Sequence, residues 1–206
     1  MARPSNTAER RAQIVEALIR VMAKNGYDGA SVSAVAEEAG LAAGLVHYHF
    51  EGKREILLAA VNALSGRLER RWRARGGAAK NPWARLHAYL DAHVALGADA
   101  DPEAVACWVV IGAEAVRDER VRGAYERVVG EQLRQLEQLV RDVLVEEQRS
   151  PRAAPSIAAA LLSTIEGAYR LALVARATPS GFAAPMLRQV AEGLIGAAAR
   201  ARGRSR

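Results

Sequence analysis

Apolar side chains recur every three or four residues along most of this chain, and no stretch alternates apolar with polar at period two. That periodicity restricts the fold to packed helices, because a strand with one buried face needs alternation. The expected class is all-α, with about nine helices. Ile14, Leu18, Val21 and Met22 share one face of a first helix from about Thr7 to Asn25, with Gly26 placed to end it. Ser31 is a good N-cap for a short helix through Val32, Val35 and Ala39 that stops at Gly40. A third runs from about Ala43 to Phe50. A long fourth begins near Lys53 and carries Leu57, Val61, Leu64 and Leu68.

Gly76-Gly77 closes that helix and marks a boundary. Asn81-Pro82 and Asp101-Pro102 have the cap-then-proline form of helix starts, and Asp118 can cap a longer helix through Val121, Val128, Leu136 and Val143 that Ser150-Pro151 breaks. Two last helices, about Pro155–Ala177 and Ala184–Arg202, flank the turn Thr178-Pro179-Ser180-Gly181. The expected organisation is an N-terminal unit over residues 1–53 and a helical effector-binding and dimerisation unit over 54–206, ending in a basic tail.

Composition narrows the function classes. Half the residues are apolar and a quarter charged, which excludes disorder as the main state. The longest apolar run, residues 104–113, is far short of the about 18 residues a membrane span requires. No apolar leader segment is visible in the first six residues, so a cytoplasmic protein with no membrane partner is expected. A single cysteine, Cys107, rules out an internal disulfide and a CxxC metal site. No GxSxG, HExxH or P-loop is present, so no enzyme and no cofactor are expected. The net charge of +6 sits in Arg67, Arg70, Arg71, Arg73 and Arg75 and in the tail Arg200, Arg202, Arg204 and Arg206. Such a balance favours nucleic acid as a partner.

Ser31 to Phe50 has the layout of a helix-turn-helix: two short helices, a glycine at the junction, and Leu41 expected to be buried just after it. Val32, Val35, Ala36, Leu45 and Val46 are spaced to share a core with the first helix. The second short helix would then be the recognition helix. Its small residues Ala42, Ala43 and Gly44 would let the backbone approach DNA closely, and His47, Tyr48 and His49 would reach bases or phosphates. His47 and His49 lie two apart, on different helix faces, and cannot chelate a metal together. No metal is expected.

The run Ser31…Ala36-Glu37-Glu38-Ala39-Gly40-Leu41, followed by Tyr48-His49-Phe50, Lys53 and Ile56-Leu57-Leu58, resembles the DNA-binding domain of tetracycline-repressor (TetR) family regulators over about residues 9–58. More faintly, Ala106-Cys107-Trp108 and Ile165-Glu166-Gly167-Ala168-Tyr169-Arg170-Leu171 resemble the choline-responsive BetI-like subgroup. The resemblance implies that Ser31 and Ser33 touch phosphate, and that Ala42, Ala43, Gly44, His47, Tyr48 and His49 lie in the major groove of double-stranded operator DNA. It also implies that Lys53 binds phosphate, which suits an ammonium at a helix N-terminus. The sequence departs from the family's pattern at Leu45, where a hydroxyl residue is common, and at His47, where tyrosine is common.

The implied function is a homodimeric, ligand-responsive regulator, a repressor released from a palindromic operator by a small organic effector. Trp108, Tyr125 and Tyr169, with the acids Glu114 and Glu166, could line a cavity for an organic cation such as a quaternary ammonium compound. Leu161, Ile165, Leu187 and Leu194, interleaved with small residues, give the last two helices more apolar surface than one hairpin face can bury, so they are expected to form the dimer interface. The alternative is a helical small-molecule-binding protein or enzyme whose helix-turn-helix is vestigial.

Overall fold

The computed structural model describes residues 6–94, 101–179 and 181–201. Among the described residues there are nine α-helices and no strand. They are α1 (Asn6–Gly29), α2 (Val32–Ala39), α3 (Ala43–His49), α4 (Lys53–Trp72), α5 (Pro82–Val94), α6 (Pro102–Glu114), α7 (Glu119–Glu146), α8 (Ala154–Leu173) and α9 (Ala183–Ala197). A π turn, Arg73–Gly77, closes α4, and a 3-10 turn, Pro151–Ala153, precedes α8. No described helix is long and apolar enough to cross a membrane.

The sequence punctuation works as the capping chemistry requires. Ser31 Oγ accepts from the Ala34 amide at 3.1 Å, Asn81 Oδ1 from Ala84 at 2.9 Å, Asp101 Oδ1 from Ala104 at 2.9 Å, and Asp118 Oδ1 from Arg120 at 2.9 Å and Val121 at 3.2 Å. The two amide bonds hold the Asp118 carboxyl below its ordinary range. Gly26, at φ +69° and ψ −178°, interrupts the helix where the sequence places its end, and a short further turn carries α1 on to Gly29.

The chain forms two compact units. The first comprises Met1–Arg67 with Asp101–Val128, and the second Leu68–Ala100 with Val129–Arg206. In the first, α1 packs against α2, α3 and α6 around fully buried Ile14, Leu18, Met22, Val35, Ile56, Leu57 and Ile111. Arg67, one of the arginines carrying the charge excess, pairs with both Glu16 and Asp101. Cys107 is buried here, which pushes its thiol up to about 12 and leaves no reactive thiolate.

In the second unit α5, α8 and α9 pack on one another around Leu86, Leu90, Leu161, Ile165 and Leu187. α9 ends at Ala197, short of the expected Arg202, because the chain turns extended at Ala198 and pairs with the end of α7. Ser150 donates to the Ala199 carbonyl at 2.8 Å, and Ala201 donates to Gln148 at 2.9 Å. α8 likewise ends at Leu173 rather than Ala177. Ser180 and the tail arginines Arg202, Arg204 and Arg206 lie outside the described residues.

The second unit holds a buried polar pair that the sequence does not flag. The Tyr169 hydroxyl donates to the His93 carbonyl at 3.0 Å and lies 3.1 Å from His93 Nδ1. His93 Nε2 is buried without a hydrogen-bond partner among the described residues. Burial, with the Arg71 charge second, pushes the His93 imidazole down from 6.5 to about 3. Below pH 6.5 the unfolded chain binds a proton that the folded chain refuses. Stability should therefore be highest above pH 6.5 and fall as pH drops toward about 3. Urea midpoints at pH 7 and pH 5 should differ less in His93→Gln than in the wild type. An equal difference in both proteins would place the titration elsewhere.

Candidate nucleic-acid interface

The hairpin of α2 and α3 turns at Gly40, whose φ +66° and ψ 34° suit a residue without Cβ. There the Gly40 amide donates to Glu37 at 3.0 Å and the Leu41 amide to Ala36 at 2.9 Å, closing the end of α2. Side chains of α1 then fix both helices. Gln13 Nε2 donates to the Ala39 carbonyl at 2.7 Å, and Arg20 bonds Glu38 at 2.6 Å, which holds that carboxyl below its usual range. Arg11 lies over the Phe50 ring, 3.9 Å from its centroid, donates to the His49 carbonyl, and pairs with Glu55 at 2.9 Å.

α3 therefore presents one fixed face. Val46, His49 and Phe50 point into the unit, while Ala42, Ala43, Gly44, His47 and Tyr48 are exposed. Ser31 and Ser33 are exposed on α2 and its cap. Tyr48 is 78% exposed, and its ring meets His49 edge-on at 5.0 Å.

Three sequence expectations change. His49 is 9% exposed and serves the core, so it is not positioned to read bases; the signal was Val46 and Phe50 beside it on the inward face. Leu45, expected in the shared core, is 36% exposed, because Val46 already fills the inward position. Leu41 is half-buried rather than buried.

Lys53 is half-buried and engaged. Its Nζ donates to the Tyr27 carbonyl at 2.8 Å, in the extra turn of α1, and lies 4.0 Å from the Tyr27 ring centroid. Burial, then the charge of Glu114, pushes the Tyr27 phenol up. Sequence spacing gave no sign of this tie, because it depends on the turn beyond Gly26.

The effector candidates fall in both units. In the first, Trp108 and Tyr125 stack with centroids 4.8 Å apart, and Glu114 is half-buried. Glu166, half-buried, and Tyr169, bonded to His93, lie in the second. The expected interface residues Leu161, Ile165 and Leu187 are each 0% exposed in the single chain. They fill the core of their own unit and leave no surface for a second copy; only Leu194 is partly open. The exposed apolar side chains nearby in sequence are Leu171, Leu173, Val174 and Phe182. Among the described residues no group of three or more His, Cys, Asp or Glu could hold a metal ion.

Comparison with known proteins gives these features a family. Residues 14–60 match the bacterial regulatory proteins of the tetR family, and residues 82–197 match the C-terminal region of BetI-type transcriptional repressors. The HTH-type transcriptional regulators BetI of Rhizobium meliloti and Agrobacterium fabrum are 35% and 34% identical over 114 residues. That match covers 55% of this chain and 55% and 54% of theirs, so the chain spans about half the length of the curated relatives it matches. A TetR transcription regulator from Haloarcula marismortui shares the fold at a TM-score of 0.79 and 20% identity, covering 93% of this chain and 98% of that one. A structure from Saccharomonospora viridis solved in complex with choline has a TM-score of 0.77 and 21% identity, covering 95% of this chain and 100% of that one. With the second matched region alone spanning more than half of its length, the chain belongs to the tetR family of bacterial regulatory proteins and carries a BetI-type C-terminal region.

Proposed function

We propose that this protein is a sequence-specific DNA-binding transcriptional regulator that represses by occupying a palindromic operator. The observation that carries the reading is the outward-facing α3, held on α1 by Arg11 and by buried Val46 and Phe50, with Tyr48 standing clear of the surface. Ala42, Ala43 and Gly44 would let that helix approach the major groove, with His47 and Tyr48 contacting it and Ser31 and Ser33 on phosphate. Selection from a randomised duplex pool tests this. A recovered twofold-symmetric consensus supports it, and a pool that stays random contradicts it.

The working form is a homodimer, located in the cytoplasm. Leu171, Val174 and Phe182, with Leu194, supply the apolar surface a second copy would cover. The effector is a small organic molecule, and the choline bound to the Saccharomonospora viridis neighbour supports a quaternary ammonium compound. The stacked Trp108–Tyr125 pair and half-buried Glu114 offer aromatic faces and a carboxylate to such a cation. Binding would favour a spacing of the two readers that no longer fits successive major grooves, roughly 34 Å apart. Choline at millimolar concentration should quench tryptophan fluorescence and release DNA. Quenching without any DNA binding would favour the small-molecule-binding alternative.

Lys53 gives a separate test. Lys53→Ala should lower stability by about 1 kcal/mol, through loss of the tie to Tyr27. If the ammonium also meets phosphate in the complex, the variant should weaken binding to all duplexes alike and reduce the salt slope by about one. Lower melting with an unchanged slope would make Lys53 a purely structural residue.

A further inference from the structure

The part of α3 that faces outward first along the chain is almost without hydrogen-bonding side chains. Ala42, Ala43, Gly44 and Leu45 are all exposed, and the polar pair His47 and Tyr48 comes only in the last turn. Leu45 lies three residues before Tyr48 and three after Ala42, so the three adjoin on the helix surface. A single exposed leucine is ordinary on a protein surface. Two observations set this one apart. The inward position is already taken by Val46, 1% exposed, and Leu45 beside it keeps 36% of its surface open. Gly44, beside it, is not required by the fold either: its φ is not positive, and a Cβ built there meets nothing within 4 Å. A bare backbone next to an exposed aliphatic side chain makes a shallow, apolar face in the first turn, where a recognition helix meets base edges.

In the major groove, the base-edge group that an aliphatic side chain can recognise is the C5 methyl of thymine. We propose that Leu45 is a specificity-determining residue that reads a thymine methyl in each half-site, with Gly44 allowing the close approach. This inference rests on the DNA-binding reading above. Removing one methyl from such an interaction weakens binding about fourfold per half-site, and about fifteenfold when both half-sites are changed.

The test uses the tightest duplex that the wild-type protein recovers from a randomised pool, resynthesised with uracil replacing thymine at one symmetric pair of positions at a time. Uracil differs from thymine only by the methyl. At one pair the wild type should lose about fifteenfold, Leu45→Ala should show a comparable loss on the thymine duplex, and the variant should be indifferent to uracil there. Leu45 is 36% exposed, so the variant should stay folded with its melting temperature lowered by no more than a few degrees. Equal binding of the wild type to every uracil duplex overturns the inference, as does a Leu45→Ala protein with the wild type's uracil sensitivity or a recovered half-site without thymine. Recovery of no duplex at all overturns the regulator reading and takes this inference with it.

Discussion

Aspartate at position 165 should unfold the second unit rather than separate two copies of the chain. Ile165 is 0% exposed in α8, where that helix packs against α9 beside Leu161 and Leu187. A carboxylate there must be buried charged or take up a proton. The expected cost is on the order of 4 kcal/mol or more, against a total stability of about 5–15 kcal/mol. In a chain of this size that lowers the melting temperature by roughly 10 °C or more, or yields insoluble protein. Leu171→Asp provides the contrast. Leu171 is 46% exposed, so the substitution should leave melting nearly unchanged, and in the proposed homodimer it should reduce the solution mass from twice 22.1 kDa toward 22.1 kDa. Melting of Ile165→Asp within a few degrees of the wild type would contradict the placement of α8 in the core.

The second large effect is on DNA. His47 and Tyr48 are the two exposed polar side chains of α3, and neither is needed by the core. Replacing both with alanine should cost about 1–3 kcal/mol for each base interaction removed, and a twofold site counts each removal twice. At least a hundredfold weaker binding to the selected duplex is expected, with little change on random duplex. Equal weakening on both would reduce the two residues to phosphate binders. His49→Ala, by contrast, should act through stability, because its ring is buried against the unit.

Most of the helix boundaries were legible because capping is local chemistry. Asn81, Asp101 and Asp118 each announce a helix within three residues of sequence, and each caps it in the structure. The reader was legible for the same reason, since the hairpin depends on a cap at Ser31 and a left-handed glycine at Gly40. What periodicity does not carry is which of two adjacent apolar residues turns inward. Leu45 and Val46 are interchangeable in a pattern, and only the packing of α3 on α1 separates them. Nor does it distinguish apolar surface buried within the chain from surface left for a partner, which is why Leu161, Ile165 and Leu187 read as an interface. His93 and Tyr169 are distant in sequence and meet only through the packing of α5 and α8, so no local signal could reveal their hydrogen bonds.

The central claim is that α3 reads a DNA sequence. The most direct measurement is fluorescence anisotropy of a labelled duplex from the region upstream of the protein's own gene, titrated with the full-length protein at moderate salt in a large excess of unlabelled random duplex. Retention of the labelled duplex by the wild type, and its loss in the His47→Ala, Tyr48→Ala double variant, is the predicted result. Displacement by the random duplex in proportion to its concentration, with the double variant indistinguishable from the wild type, would contradict the account.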